Sequence, residues 1–222
     1  MPEHAMSALE QYSSDLFAPE DAVLRAIRAE LPQRGIPNIM INPLEGRLLQ
    51  VLLRSIAARR VLEIGALAGY SGIWLARALA PGGQLITLER EPLHSATARE
   101  FYARAGLAER VTLREGAALD LLPALAAEAP FDAIFIDADK PNQAEYVRLA
   151  IPLLRQGGLL LVDNSYRHGA VLTASEDPGV LAVQEANRIL ASDPRLYATI
   201  IPTSDGLAVA VKQLSQQHAA HY

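Results

Sequence analysis

FDAIFIDADKPNQAEYVRLAIPLLRQGGLLLVDN, residues 131–164, holds two short apolar runs, FDAIFID (131–137) and GLLLVDN (158–164), joined by a stretch of helical character. Runs that stay apolar at consecutive positions read as strands buried on both faces. One crossover helix between two such runs makes them parallel neighbours in one sheet. The same unit recurs outward toward the N-terminus as RVLEIG (60–65), QLITLE (84–89) and RVTLRE (110–115), with helix-like segments between. In the other direction, YATIIPT (197–203) and LAVAVK (207–212) are separated only by Ser204-Asp205-Gly206, which is a hairpin signal. The expectation is a doubly wound α/β sheet of parallel strands that ends in an antiparallel hairpin.

Ahead of the first strand the character differs. Residues 7–31 carry apolar positions at helical spacing, interrupted at Ala18-Pro19-Glu20-Asp21, which predicts two short helices. Residues 32–43, with three prolines and Gly35, read as a loop, and residues 45–57 return to a helical period. The 222 residues are thus expected to form a single domain, with a helical preface over 1–57 and an α/β core over 58–222.

Composition narrows the chemistry. The chain has no cysteine, which excludes thiolate nucleophiles, Cys-ligated zinc and iron–sulfur clusters, so any metal must sit on oxygen or nitrogen. Twenty Lys and Arg against 25 Asp and Glu give a net charge of −5, with no basic tract, which argues against electrostatic nucleic-acid binding. The opening MPEHAMSALEQYSSDLF lacks the apolar segment of a secretory leader, and nowhere do eighteen apolar residues run uninterrupted. A cytoplasmic protein without a membrane span is expected. No G-x-S-x-G or Walker motif occurs. His218 and His221, in the polar tail QQHAAHY, read as solvated, and Trp74 reads as core.

In open α/β sheets, ligands bind beyond the carboxyl ends of the strands. The first strand runs into Glu63-Ile64-Gly65-Ala66-Leu67-Ala68-Gly69-Tyr70-Ser71, where Gly65 and Gly69 permit a tight turn and close approach of backbone to a ligand. A dinucleotide fingerprint needs glycine where Leu67 and Tyr70 stand, which weakens a nicotinamide reading. The second strand ends in Glu89, 24 residues past Gly65, the distance at which a carboxylate reaches ribose hydroxyls. Gly116-Ala117-Ala118 leaves room for a flat ring. The fourth and fifth strands end in Asp137-Ala138-Asp139-Lys140 and Asp163-Asn164, 26 residues apart from Asp137 to Asp163, which fits one crossover and sets both tips at one edge. Asp137, Asp163 and Asn164 together form a hard oxygen-donor set suited to Mg²⁺ or another divalent ion such as Mn²⁺ or Ca²⁺. The alternative is two independent aspartates making caps and turns.

These segments, together with MINPLEGRLLQVLL (40–53), REGAAL (114–119), LLRQGG (153–158) and DGLAVAVK (205–212), resemble the class I S-adenosylmethionine-dependent O-methyltransferases of the caffeoyl-CoA and catechol O-methyltransferase family. The resemblance implies a seven-stranded Rossmann-like fold, S-adenosylmethionine as methyl donor, a divalent cation and a homodimer. Position by position it implies that Asp137, Asp163 and Asn164 bind the metal and that Asp137 and Lys140 are catalytic, Lys140 as base. It further implies that Glu63, Gly65, Ala66 and Ser71 contact the methionine part of the cofactor, Glu89 the ribose, and Ala118 and Asp139 the adenosine side. Ile41 matches another cofactor contact, and His168 takes the place of a substrate-touching Asn. The implied acceptor is a small catechol-like aromatic. A tRNA 5-hydroxyuridine O-methyltransferase on the same scaffold is the alternative, and it would bind RNA in a salt-sensitive way. An oxidoreductase and a non-catalytic module are the remaining readings.

Overall fold

The computed structural model describes residues 8–213; the tail histidines His218 and His221 lie outside the described residues. The described residues form seven strands. The chain divides into two compact units, one of residues 8–59 and 66–115, the other of residues 60–65 and 116–213.

The first unit opens with helices α1 (Ala8–Phe17), α2 (Ala22–Glu30) and α3 (Pro43–Ser55). The break expected at residues 18–21 is built by Asp21, whose carboxylate accepts from the Val23 and Leu24 N–H groups and caps α2. α3 starts where Asn42 accepts from the Glu45 N–H and Pro43 takes the first helical position. After the glycine-rich loop come α4 (Tyr70–Ala78), β2 (Gln84–Glu89), α5 (Pro92–Arg104) and β3 (Val111–Glu115), with β2 and β3 paired in parallel from Leu85–Val111 to Glu89–Glu115. Trp74 is buried, as expected of a core residue, and packs where Gly46 leaves space, since a Cβ there would meet the indole ring at 2.7 Å.

The second unit contains β1 (Arg60–Ile64), α6 (Ala118–Leu121), β4 (Phe131–Ile136), α7 (Gln143–Leu153), β5 (Leu154–Val162), α8 (Pro178–Ser192), β6 (Leu196–Ile201) and β7 (Leu207–Lys212). β1, β4 and β5 run parallel, and β7 pairs antiparallel with both β5 and β6, so the expected hairpin folds back into the sheet. β5 begins four residues earlier than the apolar run suggests. Leu154 pairs with Phe131 and Leu159 with Ala133, so residues 155–158 form a bulge, and Gly157 at φ 70° supplies the backbone conformation that it needs. Ala133, Ile134, Phe135, Leu160 and Leu161 are fully or almost fully buried, as strands apolar on both faces require. Among the described residues no helix is long and apolar enough to cross a membrane.

Phe135 is fully buried in register between Glu63 and Leu161. Phe135→Ala is expected to cost roughly 3–5 kcal/mol of stability, read as a lower urea midpoint at unchanged m-value.

Candidate active site

The strand tips of the second unit are set by a ladder that runs one residue past the strands. Ile64 pairs with Ile136 and Ile136 with Val162; beyond them the Asp137 N–H donates to the Ile64 carbonyl and the Asp163 N–H to the Ile136 carbonyl, each at 3.0 Å. Parallel neighbours lie about 4.8 Å apart, and residues in register project to one face. Gly65, Asp137 and Asp163 therefore stand side by side. Gly65 has no tolerated substitute, because its φ is 98° and a Cβ would sit 2.1 Å from the Asp137 carbonyl oxygen.

Asp163 is buried, and its Oδ1 accepts from the Asn164 N–H at 2.6 Å. Asn164 turns the chain in the left-handed region at φ 56°, a conformation that asparagine tolerates better than most residues. Lys140, half-buried, donates from Nζ to Asp137 Oδ1 at 3.1 Å. Two neighbouring carboxylates thus share the strand tips, with Lys140 against the first. Among the described residues no three His, Asp or Glu side chains gather as a metal cluster, so a cation here would rest on two carboxylates and an amide.

Asp139 is directed elsewhere. Its Oδ1 accepts from the Tyr146 hydroxyl at 2.6 Å and its Oδ2 from Asn142 Nδ2 at 2.5 Å, which ties it to the start of α7. Glu63 is buried within β1, and Ala118, half-buried, opens α6. His168 is half exposed, at φ 52° in the segment after β5.

In the first unit, Glu89 is not a solvated surface acid. It is buried; Oε2 accepts from the Leu67 N–H at 2.8 Å and Oε1 from the Glu91 N–H at 3.0 Å, with His94 Nδ1 3.6 Å away. It braces a loop in which Leu67 (φ 47°) and Gly69 (φ 85°) are both left-handed. Ala66 and Ser71 are buried on either side of that turn, and Ile41 is buried ahead of α3.

A cluster that the sequence reading did not single out lies beside this loop. Arg28 donates to Glu20 Oε1 at 3.0 Å, to the Tyr70 hydroxyl at 3.0 Å and to the Ile41 carbonyl at 3.1 Å, and the Tyr70 hydroxyl donates to Glu20 Oε1 at 2.5 Å. Burial pushes the Tyr70 hydroxyl well above its ordinary pKa in spite of Arg28. Burial opposes the charge on Arg28, yet Tyr70 and Glu20 hold its pKa above the usual value. The available signal was an Arg on the helical preface and a Tyr opening the helix after the glycine-rich turn.

Residues 10–213 match the family described as O-methyltransferase. The chain is 42% identical to a catechol O-methyltransferase of Niastella koreensis over 219 residues, covering 95% of this chain and 99% of that one. It is 43% identical to a catechol O-methyltransferase of Mycobacterium tuberculosis over 197 residues, covering 86% and 89%. The solved structure of an O-methyltransferase from Bacillus cereus in complex with SAH is 40% identical and superposes with a TM-score of 0.89, covering 93% of this chain and 98% of that one.

Arg28→Ala removes the shared donor from Glu20, Tyr70 and Ile41. The expected loss is about 2–3 kcal/mol of unfolding free energy, against about 1 kcal/mol for Tyr70→Phe, measured by urea denaturation.

Proposed function

The chain belongs to the O-methyltransferase family, and from that premise we propose that it moves a methyl group from S-adenosylmethionine to one hydroxyl of a small catechol-like aromatic, with a divalent cation held by Asp137, Asp163 and Asn164. The observation that carries the metal reading is the side-by-side placement of the β4 and β5 tips, which sets Asp137 and Asp163 at neighbouring register positions. An amide and two carboxylates fit a hard cation such as Mg²⁺, which keeps positions free for water or substrate oxygens. The names of the relatives favour a catechol acceptor and give the tRNA alternative no support.

When bound, the cation supplies positive charge that favours the ionised form of one of two vicinal hydroxyls. The chain's own residues supply the rest. Asp137 and Asp163 would fix the position of that charge, and Lys140, 3.1 Å from Asp137, would take the hydroxyl proton as the neutral amine, since an ammonium has no lone pair to accept it. The nucleophilic oxygen must face the methyl carbon opposite the sulfur; the O–C bond forms as the C–S bond breaks, and the thioether leaves with the electron pair.

For the donor, we assign Glu63, Gly65, Ala66 and Ser71 to the methionine part, Glu89 to the ribose, Ala118 and Asp139 to the adenosine side, and Ile41 to a further contact. The bonds that Glu89 and Asp139 already accept do not prevent this, because each carboxylate oxygen has a second lone pair. His168 belongs to the acceptor side. The reading extends to a cytoplasmic homodimer, and the exposed Leu9, Tyr12, Leu16 and Phe17 of α1 support pairing.

The test is methyl transfer from S-adenosylmethionine to catechol, with and without EDTA. Activity abolished by EDTA and restored by Mg²⁺ is expected, and metal-independent turnover contradicts the reading. Asp163→Asn is expected to lose more than ~100-fold, beyond the usual cost of an outer-sphere partner, with only partial rescue by excess Mg²⁺. Lys140→Ala is expected to lower kcat by about 100-fold or more with the KM for S-adenosylmethionine unchanged; full turnover removes the base role.

A further inference from the structure

We propose that Asp205, in the turn between β6 and β7, is a positioning residue that orients His168 toward the methyl acceptor; this rests on the functional reading above and deepens it. Asp205 was legible in the sequence only as part of a hairpin turn. In the structure that turn fastens the segment that follows β5. The Ser165 N–H donates to the Gly206 carbonyl at 2.9 Å, the Tyr166 N–H to the Asp205 carbonyl at 2.8 Å, and the His168 N–H to Asp205 Oδ1 at 2.5 Å.

The segment needs such a clasp. Asn164, Arg167 and His168 lie at φ 56°, 50° and 52°, and none is glycine. Left-handed conformations at non-glycine residues persist only where surrounding bonds impose them, and they gather where a side chain must be aimed. Gly206, at φ 79°, lets the turn lie flat against Tyr166, whose ring a Cβ would meet at 2.7 Å. The two ends of the clasped segment are the residues with assigned roles, Asn164 toward the cation and His168 toward the acceptor.

The carboxylate itself carries the second part of the argument. Asp205 is buried, its Oδ2 has no hydrogen-bond partner among the described residues, and its Oδ1 lies 3.6 Å from His168 Nδ1. A buried carboxylate oxygen without a donor is costly, and the His168 imidazole beside the same carboxylate is a group that can donate to it. An Nδ1–H directed at Asp205 fixes the tautomer and makes Nε2 the acceptor nitrogen of a half-exposed ring. That is a site for the O–H of a hydroxylated aromatic.

The experiment compares wild type with Asp205→Asn, Asp205→Ala, His168→Ala and the double variant D205N/H168A. The readouts are KM for catechol, KM for S-adenosylmethionine, calorimetric binding of SAH, and hydrogen exchange over residues 164–169. In Asp205→Asn an oxygen remains for the His168 N–H, so exchange is expected to stay slow while the catechol KM rises about tenfold, the worth of one well-made hydrogen bond. His168→Ala is expected to raise the catechol KM similarly, and the double variant to be no worse than His168→Ala. In Asp205→Ala exchange over the segment should also accelerate, with SAH binding unchanged. An unchanged catechol KM in Asp205→Asn, additive losses in the double variant, or equal rises in both KM values would overturn the proposal. A wild type that methylates no catechol contradicts the functional reading instead; the exchange and SAH measurements, which need no acceptor, then decide the clasp alone.

Discussion

One parallel ladder, continued a single residue beyond its strands, governs the second unit. The bonds from the Asp137 and Asp163 N–H groups to the Ile64 and Ile136 carbonyls keep the β1, β4 and β5 tips in register past the point where strand geometry ends. That register forces two carboxylates into adjacent positions, and it also forces the residue beside Asp137 to be glycine, since any side chain at Gly65 would enter the Asp137 carbonyl. Like charges held this close cost stability unless something offsets them. Lys140 meets Asp137, and the proposed cation would meet both carboxylates.

Within each unit, side chains also brace irregular backbone. Glu89 holds the Leu67 N–H, and the Arg28–Glu20–Tyr70 cluster ties the helical preface to the start of α4 and to the Ile41 carbonyl. These bonds fix backbone in a loop where two non-consecutive residues are left-handed, so the order of the loop comes from side chains brought from distant points in the chain. The Asp205 turn does the same for the segment after β5. In each case a charged or polar side chain is committed to main-chain groups, which suits a site that must be shaped before its ligands arrive.

The fold was largely legible. Apolar runs at 60–65, 84–89, 110–115 and 131–137 became strands within one residue at each end, because burial on both faces leaves a period-free signal that turns and helices do not imitate. The early start of β5 was not legible, since a bulge at Arg155-Gln156-Gly157-Gly158 looks like a loop in sequence. Among the candidate residues, the adjacency of Asp137 and Asp163 followed from spacing, whereas the contact of Lys140 with Asp137 emerged only from the structure. The second attachments of Glu89 and Asp139, and the clasp at Asp205, were not legible either. They depend on side chains meeting across 22 to 37 residues or on a local turn toward α7, and no periodicity records such meetings.

The central claim is that the β4 and β5 tips hold a divalent cation, and Mn²⁺ titration followed by electron paramagnetic resonance tests it without any acceptor or methyl donor. One site per chain in the wild type, competed by Mg²⁺ and absent from the double variant D137N/D163N, is the predicted result. A free-Mn²⁺ signal that the wild type and the double variant leave equally undiminished would contradict it.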